Sequence, residues 1–277
     1  MVLPEGFQFT QGKLQDFVDC PRRFELRHLL EQPWPAELID PADEVEEHIR
    51  QGAAFHKLIC QHLLGLPDEQ LSRMASEEPL IRWWDHFLEW GLRGLPGNRR
   101  AEVEMGDRLA GHPLVAKYDL IAFEMEGPVV IVDWKTNRIR PGRSRLARRL
   151  QTIVYLYVLA RVGEALLGRS IRPDEIEMRY WFAEYPQDPE RFAYSQDAYE
   201  RDKAAIEALV ETIVAAVEGG GFPRTEDTRR CRFCEYRSLC ERGDRPGDVS
   251  DLEIDFEELE EWPGRLDWEE IAEVPFS

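Results

Sequence analysis

The chain lacks the features that would direct it into a membrane or a secretory pathway. None of its apolar runs approaches the length of about 20 residues that a membrane-spanning helix needs. The first ten residues contain no basic start followed by an apolar stretch, so no secretory signal is visible. We therefore expect a cytoplasmic protein without a membrane partner. Cysteine is scarce, with five in all, and in the reducing cytoplasm these residues are expected to be metal ligands or buried thiols rather than disulfides.

A phosphate-binding loop is also missing. The nearest match runs from Gly6 to Gly12 and Lys13, but it has five intervening residues, and Leu14 stands where the motif needs Ser or Thr. The sequence therefore predicts no nucleotide-driven motor.

Excess positive charge is absent as well, since the formal net charge is -19. Such a balance argues against a general nucleic-acid binder, which would need a basic surface. The charge is unevenly placed: residues 248–277 hold twelve acidic residues and one arginine, which leaves -8 for residues 1–247. We predict a domain over 1–247 and an acidic tail over 248–277. The tail is open to three interpretations, namely disorder, a cover for a basic surface, or a partner-binding segment.

The periodicity of apolar residues predicts a mixed α/β domain. Helices are expected at residues 46–64 and 79–92, followed by strands at 101–109, 114–124 and 129–134. A long helix at 145–167, a strand at 175–183 and a helix at 195–217 complete the predicted order.

Two carboxylates and a lysine fall on two neighbouring predicted strands. Asp133 and Lys135 are two residues apart and follow a buried β-branched run, so they point to one face of a strand, and Asp119 lies on the preceding strand. Such a group can hold Mg²⁺ through carboxylates, water and phosphate oxygens, while the ammonium stabilises charge on the phosphate. Taken alone, the pattern equally suits a strand end with solvated charges.

Further motifs flank this group on the predicted helices. Gly52 and His56 lie on the helix before the strands, and Thr136 follows Lys135. Gln151 and Tyr155 are four residues apart on one face of the next helix. In this order the motifs resemble those of the RecB-type branch of the PD-(D/E)XK nucleases.

That resemblance implies a restriction-endonuclease-like fold with a central mixed sheet flanked by helices. It implies that His56, Asp119 and Asp133 ligate Mg²⁺ or Mn²⁺, that Asp119, Asp133 and Lys135 are catalytic, and that Gln151 and Tyr155 contact DNA. The expected activity is that of a DNA nuclease, in particular an exonuclease on single strands or DNA ends. Repair, recombination and CRISPR adaptation are the candidate pathways, with a helicase or an adaptation protein as partner. A non-catalytic DNA-binding subunit of a helicase–nuclease complex is the alternative.

Three of the cysteines form a C-x2-C-x5-C pattern at Cys231, Cys234 and Cys240. A tetrahedral zinc ion or an iron–sulfur cluster needs a fourth ligand, for which Cys20, Cys60 and the histidines are candidates. Cys20 lies in a Cys-Pro-Arg-Arg-Phe segment that resembles the first cluster-binding element of iron–sulfur RecB-type nucleases. The resemblance implies a [4Fe–4S] cluster on Cys20, Cys231, Cys234 and Cys240, carried by the N- and C-terminal segments, and it leaves Cys60 as a buried thiol. A zinc knuckle on the same four cysteines remains open.

Arginines are concentrated directly after the proposed catalytic lysine. Arg138, Arg140, Arg143 and Arg145 begin this basic strip, which continues to residue 149. Guanidinium groups bind phosphate oxygens in a bidentate manner, so we predict that these four arginines contact the DNA backbone. A solvated charged loop is the alternative.

Overall fold

The computed structural model describes residues 2–33, 39–40, 42–245 and 247–248. The predicted acidic tail therefore lies outside the described residues, except for the backbone of its first residue. The helices are α1 (Gln11–Asp19), α2 (Pro21–Phe24, continued by a π-helical turn at Glu25–Leu29), α3 (Ala42–Leu63), α4 (Asp68–Met74), α5 (Leu80–His86, continued at Phe87–Gly91), α6 (Arg143–Leu146), α7 (Leu150–Val162), α8 (Glu164–Leu167) and α9 (Gln196–Gly219). The strands are β1 (Ile39–Asp40), β2 (Asn98–Leu109), β3 (His112–Phe123), β4 (Val129–Lys135), β5 (Ile176–Phe182), β6 (Glu190–Ala193) and β7 (Gly247–Asp248).

In the described part of the chain, a mixed five-stranded sheet has the order β2-β3-β4-β5-β6. Strands β4 and β5 are parallel, and the other neighbours in this sheet are antiparallel. A parallel pair needs a long crossover connection, and helices α6 to α8 supply it here. The prediction of a mixed sheet flanked by helices is confirmed.

The central strand β4 is buried along its whole length because helices cover both faces of the sheet. Val129 and Ile131 belong to the core beneath α1, α7 and α9, whereas Val130, Val132 and Trp134 belong to the core beneath α3, α4 and α5. This two-sided burial explains why the run before Asp133 is continuously apolar rather than alternating.

Several predicted bounds differ from the observed ones. The helix expected over residues 145–167 is divided into α6, α7 and α8, because the chain is extended at Arg149 and α7 ends at Gly163. The sequence analysis missed β6, a four-residue edge strand that pairs with β5. Strand β2 begins at Asn98, three residues earlier than predicted.

The two ends of the described chain meet beside α1 and α2. The Arg22 backbone N–H donates to the carbonyl of Pro223 at 3.2 Å, and the Tyr236 hydroxyl donates to the carbonyl of Gln32 at 3.0 Å. These contacts bring the segment that carries three cysteines next to the one that carries Cys20. Among the helices described, none combines the length and the apolar character needed to span a bilayer.

Candidate functional site

Asp119 lies at the point where strands β3 and β4 separate. Their ladder is regular from Phe123↔Val129 to Leu120↔Val132 and stops there. One residue further along β3, the Asp119 Oδ2 accepts a hydrogen bond of 2.9 Å from the backbone N–H of Trp134. The carboxylate thus takes the place of a backbone carbonyl and is fixed between the two strands. Across from it on β2, Glu102 has a φ of 49° and leaves the β2–β3 register at this position.

His56 on helix α3 faces Asp119 from the side. Its Nδ1 is 3.7 Å from the Asp119 Oδ1, and both side chains are partly open to solvent, at 23% and 19% exposure. Burial would raise the pKa of Asp119, but the His56 charge, hydrogen bonds from His56 and the Trp134 N–H, and the Lys135 charge hold it below its usual range. The pair therefore presents an anionic carboxylate oxygen at a position that solvent can reach.

Helix α3 approaches the sheet closely because residue 52 is a glycine. A Cβ at Gly52 would lie 3.1 Å from the Thr136 Oγ1, which is tighter than ordinary van der Waals contact. Gly52 is one turn before His56, so this close approach sets the height of the imidazole above the end of β4. The predicted motif residues Gly52, His56 and Thr136 thus share one packing contact region.

Asp133 and Lys135 form a buried ion pair on the face of β4 that α7 covers. The Lys135 Nζ is 2.7 Å from the Asp133 Oδ2, and each side chain is 2% exposed. Gln151, in the first turn of α7, donates from Nε2 to the Asp133 Oδ1 at 2.9 Å and accepts at Oε1 from the Lys135 Nζ at 3.3 Å. The Gln151 amide therefore bridges the two charged groups and covers them from the α7 side.

The three predicted metal ligands are divided between an open pair, His56 with Asp119, and the closed group around Asp133. No three His, Cys, Asp or Glu side chains in the described ranges converge tightly enough to hold one ion. The donor chemistry nevertheless fits a hard cation, because Mg²⁺ takes one or two carboxylates and keeps several waters. Asp119 supplies such an oxygen, and it bonds the backbone of the residue between Asp133 and Lys135.

The two residues predicted to contact DNA on α7 have different environments. Gln151 is partly exposed and is engaged with the ion pair, as described. Tyr155 is only 4% exposed, its ring centroid is 4.8 Å from that of Tyr118, and its carbonyl accepts from the Tyr118 hydroxyl at 3.0 Å. The ring of Tyr155 thus packs against β3, and its predicted DNA contact stays a prediction.

The arginines of the basic strip are not equally available to a ligand. Arg140 pairs with Asp188 and Glu190, and Arg143 pairs with Glu190 and donates to the carbonyl of Arg191 at 2.8 Å. These contacts join the strip to β6, so the predicted phosphate contacts of Arg140 and Arg143 would have to compete with carboxylates. Arg138 is exposed and Arg145 is partly exposed.

Four cysteines from both ends of the chain line one cavity, as the sequence analysis grouped them. They are Cys20, Cys231, Cys234 and Cys240, and arginines 23, 224, 230, 237 and 242 line the same cavity. All five cysteines of the chain lie within the described residues, and none forms a disulfide. Burial raises the pKa of Cys234 to about 11, although Arg23 acts in the opposite direction. Cys60 lies elsewhere on α3 and is partly exposed rather than buried.

The cysteine cavity is joined to α1 by a buried charge network that the sequence analysis missed. Asp16 forms ion pairs with Arg23 and Arg27, and Arg27 also contacts Glu235, the residue directly after Cys234. The helical spacing of Asp16 and Asp19 beside Arg23 and Arg27 was a visible signal. The sequence could not show that Glu235, more than two hundred residues later, completes the network.

A comparison with protein-family models matches residues 8–241 to the PD-(D/E)XK nuclease superfamily. Among solved structures, similarity is found to the crystal structure of SSO0001, with 17% identity, a TM-score of 0.40 and coverage of 86% of this chain and 87% of that one. A candidate exonuclease from Eubacterium rectale shows 9% identity and a TM-score of 0.49, with coverage of 97% and 94%. Among curated proteins, none matches the sequence. The family match spans well over half of the sequence, and the chain therefore belongs to the PD-(D/E)XK nuclease superfamily.

Proposed function

We propose that this protein is a metal-dependent DNA nuclease that hydrolyses phosphodiester bonds, and that it acts as an exonuclease on single strands or DNA ends. The observation that carries the proposal is the placement of Asp119 at the opening between β3 and β4, beside the buried Asp133–Lys135 pair. Membership of the nuclease superfamily supports the reaction class. The preference for ends and the pathway, whether repair, recombination or CRISPR adaptation, are parts of the proposal.

Some residues of the site would bind the metal ion, and another would stabilise charge on the phosphate. Asp119, Asp133 and His56 would hold Mg²⁺ or Mn²⁺, which when bound supplies a Lewis acid and an activated water. Lys135, paired with Asp133 at 2.7 Å, would place a cation where charge grows on a phosphate. Asp119 is already ionised through His56 and the Trp134 N–H, so it needs no deprotonation before it binds a cation.

We further propose that Cys20, Cys231, Cys234 and Cys240 bind a structural [4Fe–4S] cluster. A single zinc ion needs all its thiolates about 2.3 Å away, whereas each cysteine of a cluster binds a different iron and stands farther from the others. Four cysteines line one cavity, which supports a shared centre, and the resemblance of the Cys20 segment to iron–sulfur RecB-type nucleases favours the cluster over zinc. The surrounding arginines would offset the negative charge of a thiolate-ligated centre.

DNA is the proposed partner, and its backbone contacts include Arg138, which is exposed, and Arg145, which is partly exposed. Three further side chains stay in the proposal as DNA contacts, although each must first leave its present partner: Arg140, Arg143 and Gln151. A helicase or a CRISPR-adaptation protein is the proposed protein partner, and the cytoplasm is the proposed location because a thiol-ligated cluster suits a reducing compartment.

The decisive experiment incubates purified protein with end-labelled single-stranded DNA and Mn²⁺ or Mg²⁺, with a chelator as the blank. We expect metal-dependent cleavage that Asp133→Asn abolishes. Asp107→Asn is the matched control, because Asp107 is a largely buried carboxylate on β2 that contacts Tyr157 and Arg161 instead of the site. Wild-type protein that binds DNA and cuts none of it would favour the alternative, a non-catalytic DNA-binding subunit.

A further inference from the structure

The orientation of the Gln151 amide is fixed by the chemistry of its two charged neighbours. The Lys135 ammonium only donates hydrogen bonds, so it must face the Gln151 Oε1, and it does so at 3.3 Å. The Asp133 carboxylate only accepts, so it must face Nε2, and it does so at 2.9 Å. A flipped amide would set donor against donor and acceptor against acceptor. The bridge across the ion pair therefore exists in one orientation only.

Tyr180 on β5 contacts the same Gln151 amide from the side of the sheet. In the parallel β4–β5 register Tyr180 is the partner of Asp133, which brings its ring under the ion pair, with the Lys135 Nζ 5.5 Å from the ring centroid. The Tyr180 hydroxyl is 3.3 Å from the Gln151 Oε1 and 2.7 Å from the Thr152 Oγ1. Because Oε1 carries no hydrogen, the Tyr180 hydroxyl is the donor in its contact with Gln151.

The Tyr180 hydroxyl has one proton and two acceptors within reach. The Thr152 hydroxyl donates its own proton to the carbonyl of Leu146 at 2.6 Å, so its Oγ1 is an acceptor toward Tyr180. The Tyr180 proton is therefore shared between the Gln151 Oε1 and the Thr152 Oγ1, and the two contacts together hold the hydroxyl against the Gln151 amide.

We propose that Tyr180 is a positioning residue for the nuclease reaction: its hydroxyl, supported by Thr152, fixes the Gln151 amide and through it the geometry of the Asp133–Lys135 pair. The inference rests on the proposed nuclease function for its kinetic consequence, whereas the hydrogen-bond chain itself is independent of activity. Tyr180 touches neither substrate nor metal in this arrangement and acts only through Gln151.

The test compares Tyr180→Phe with Tyr157→Phe in the full-length protein. Tyr157 is a matched control because it is equally buried in the same core, and its hydroxyl donates to Asp107 at 3.2 Å, away from the site. In metal-free protein labelled at glutamine side chains, Tyr180→Phe should shift the NMR signals of the Gln151 amide group and speed its hydrogen exchange, whereas Tyr157→Phe should leave both unchanged.

For the active protein, we expect Tyr180→Phe to lower kcat about three- to tenfold, as the loss of one buried hydrogen bond allows, with KM for DNA within about twofold of the wild type. In a Gln151→Ala background the same change should alter kcat less than about twofold, because the residue it acts through is gone. An unchanged Gln151 amide signal, or fully additive losses of kcat, would overturn the proposal.

Two outcomes separate this inference from the nuclease proposal. If the wild-type protein cuts no DNA, the proposed function fails, and the amide signals still decide whether Tyr180 holds Gln151. If Tyr180→Phe does not fold, Thr152→Val removes the second acceptor of the Tyr180 hydroxyl at 2.7 Å, and a shift in the Gln151 signals is expected from it as well. Unchanged signals in that variant would likewise refute the inference.

Discussion

Replacement of Asp16 by alanine should destabilise the protein by several kcal/mol, although Asp16 is remote from the proposed site. Its carboxylate forms an ion pair with the Arg23 Nε at 2.8 Å, accepts from the Arg27 Nη1 at 2.9 Å and contacts the His28 Nε2 at 2.8 Å. Burial would raise the pKa of Asp16, but the two arginines and His28 hold it well below its usual range. Asp16→Ala leaves two buried guanidinium groups with less negative charge around them.

The magnitude follows from what each arginine keeps. Removal of one partner from a buried ion pair costs about 3–5 kcal/mol when the other charge is left uncompensated. Arg23 retains Asp19 at 2.9 Å, and Arg27 retains Glu235, so the loss should lie at the lower end, at about 3 kcal/mol. For a domain of this size, about 2–4 °C of melting temperature per kcal/mol gives a fall of roughly 6–12 °C.

The assay is thermal and urea denaturation followed by circular dichroism, with Glu47→Ala as the control. Glu47 also pairs with an arginine, Arg50 at 2.6 Å, but that pair is half-exposed, and exposed pairs contribute about 0–1 kcal/mol. A loss of melting temperature for Asp16→Ala no larger than that of the control would refute the argument that the buried network stabilises the fold.

The same network gives a pH dependence with a definite sign. Because the folded-state pKa of Asp16 is lowered, its contribution is complete above the unfolded value of about 3.9 and is lost as the pH falls below it. The stability difference between wild type and Asp16→Ala should therefore be constant from about pH 8 to pH 5 and should shrink in more acidic buffer. A difference that widens on acidification would contradict the assignment.

Other expected outcomes concern the helix contact, the cavity and the basic strip. Gly52→Ala places a Cβ 3.1 Å from the Thr136 Oγ1. We expect this variant to lose more nuclease activity than stability, because alanine favours the helix by about 1 kcal/mol. Activity equal to that of the wild type would contradict this expectation. Cys20→Ser should remove the visible iron–sulfur absorbance and lower the melting temperature, whereas an intact absorbance would place the fourth ligand elsewhere. Glu190→Gln should tighten DNA binding in a filter or anisotropy assay because it releases Arg143, and unchanged affinity would make Arg143 a structural residue.

The sequence was sufficient for those features that depend on local pattern. A continuously apolar run followed by Asp133 and Lys135 predicted a buried strand with a charged end, and β4 has that form. The cysteine spacing grouped Cys231, Cys234 and Cys240, and the resemblance of the Cys20 segment added the fourth cysteine that lines the same cavity. Each of these patterns spans only a few residues, or depends on side-chain chemistry that few other folds accommodate.

The remaining features depend on register and on which face a distant element covers. The apolar and polar periodicity that predicted β3 does not indicate that its ladder with β4 stops at Leu120, or that Asp119 accepts the N–H of Trp134. The positive φ of Glu102 is likewise invisible, because glycine is the residue that usually signals such a conformation. Helical spacing places Tyr155 on the same face as Gln151, but only the tertiary structure shows that its ring packs against Tyr118 of β3.

The burial of Asp133 limits the order in which its charge can be used. A lone carboxylate at 2% exposure would be neutralised by protonation, and Lys135 at 2.7 Å provides the compensating charge instead. Because the ion pair carries no net charge, the fold can bury it. Loss of either contact would leave the other side chain as an uncompensated buried charge, which is unfavourable. Any ligand that engages Asp133 must therefore bring positive charge of its own, and any ligand that engages Lys135 must bring negative charge. A divalent cation and a phosphate arriving together satisfy both requirements, whereas either one alone satisfies only half.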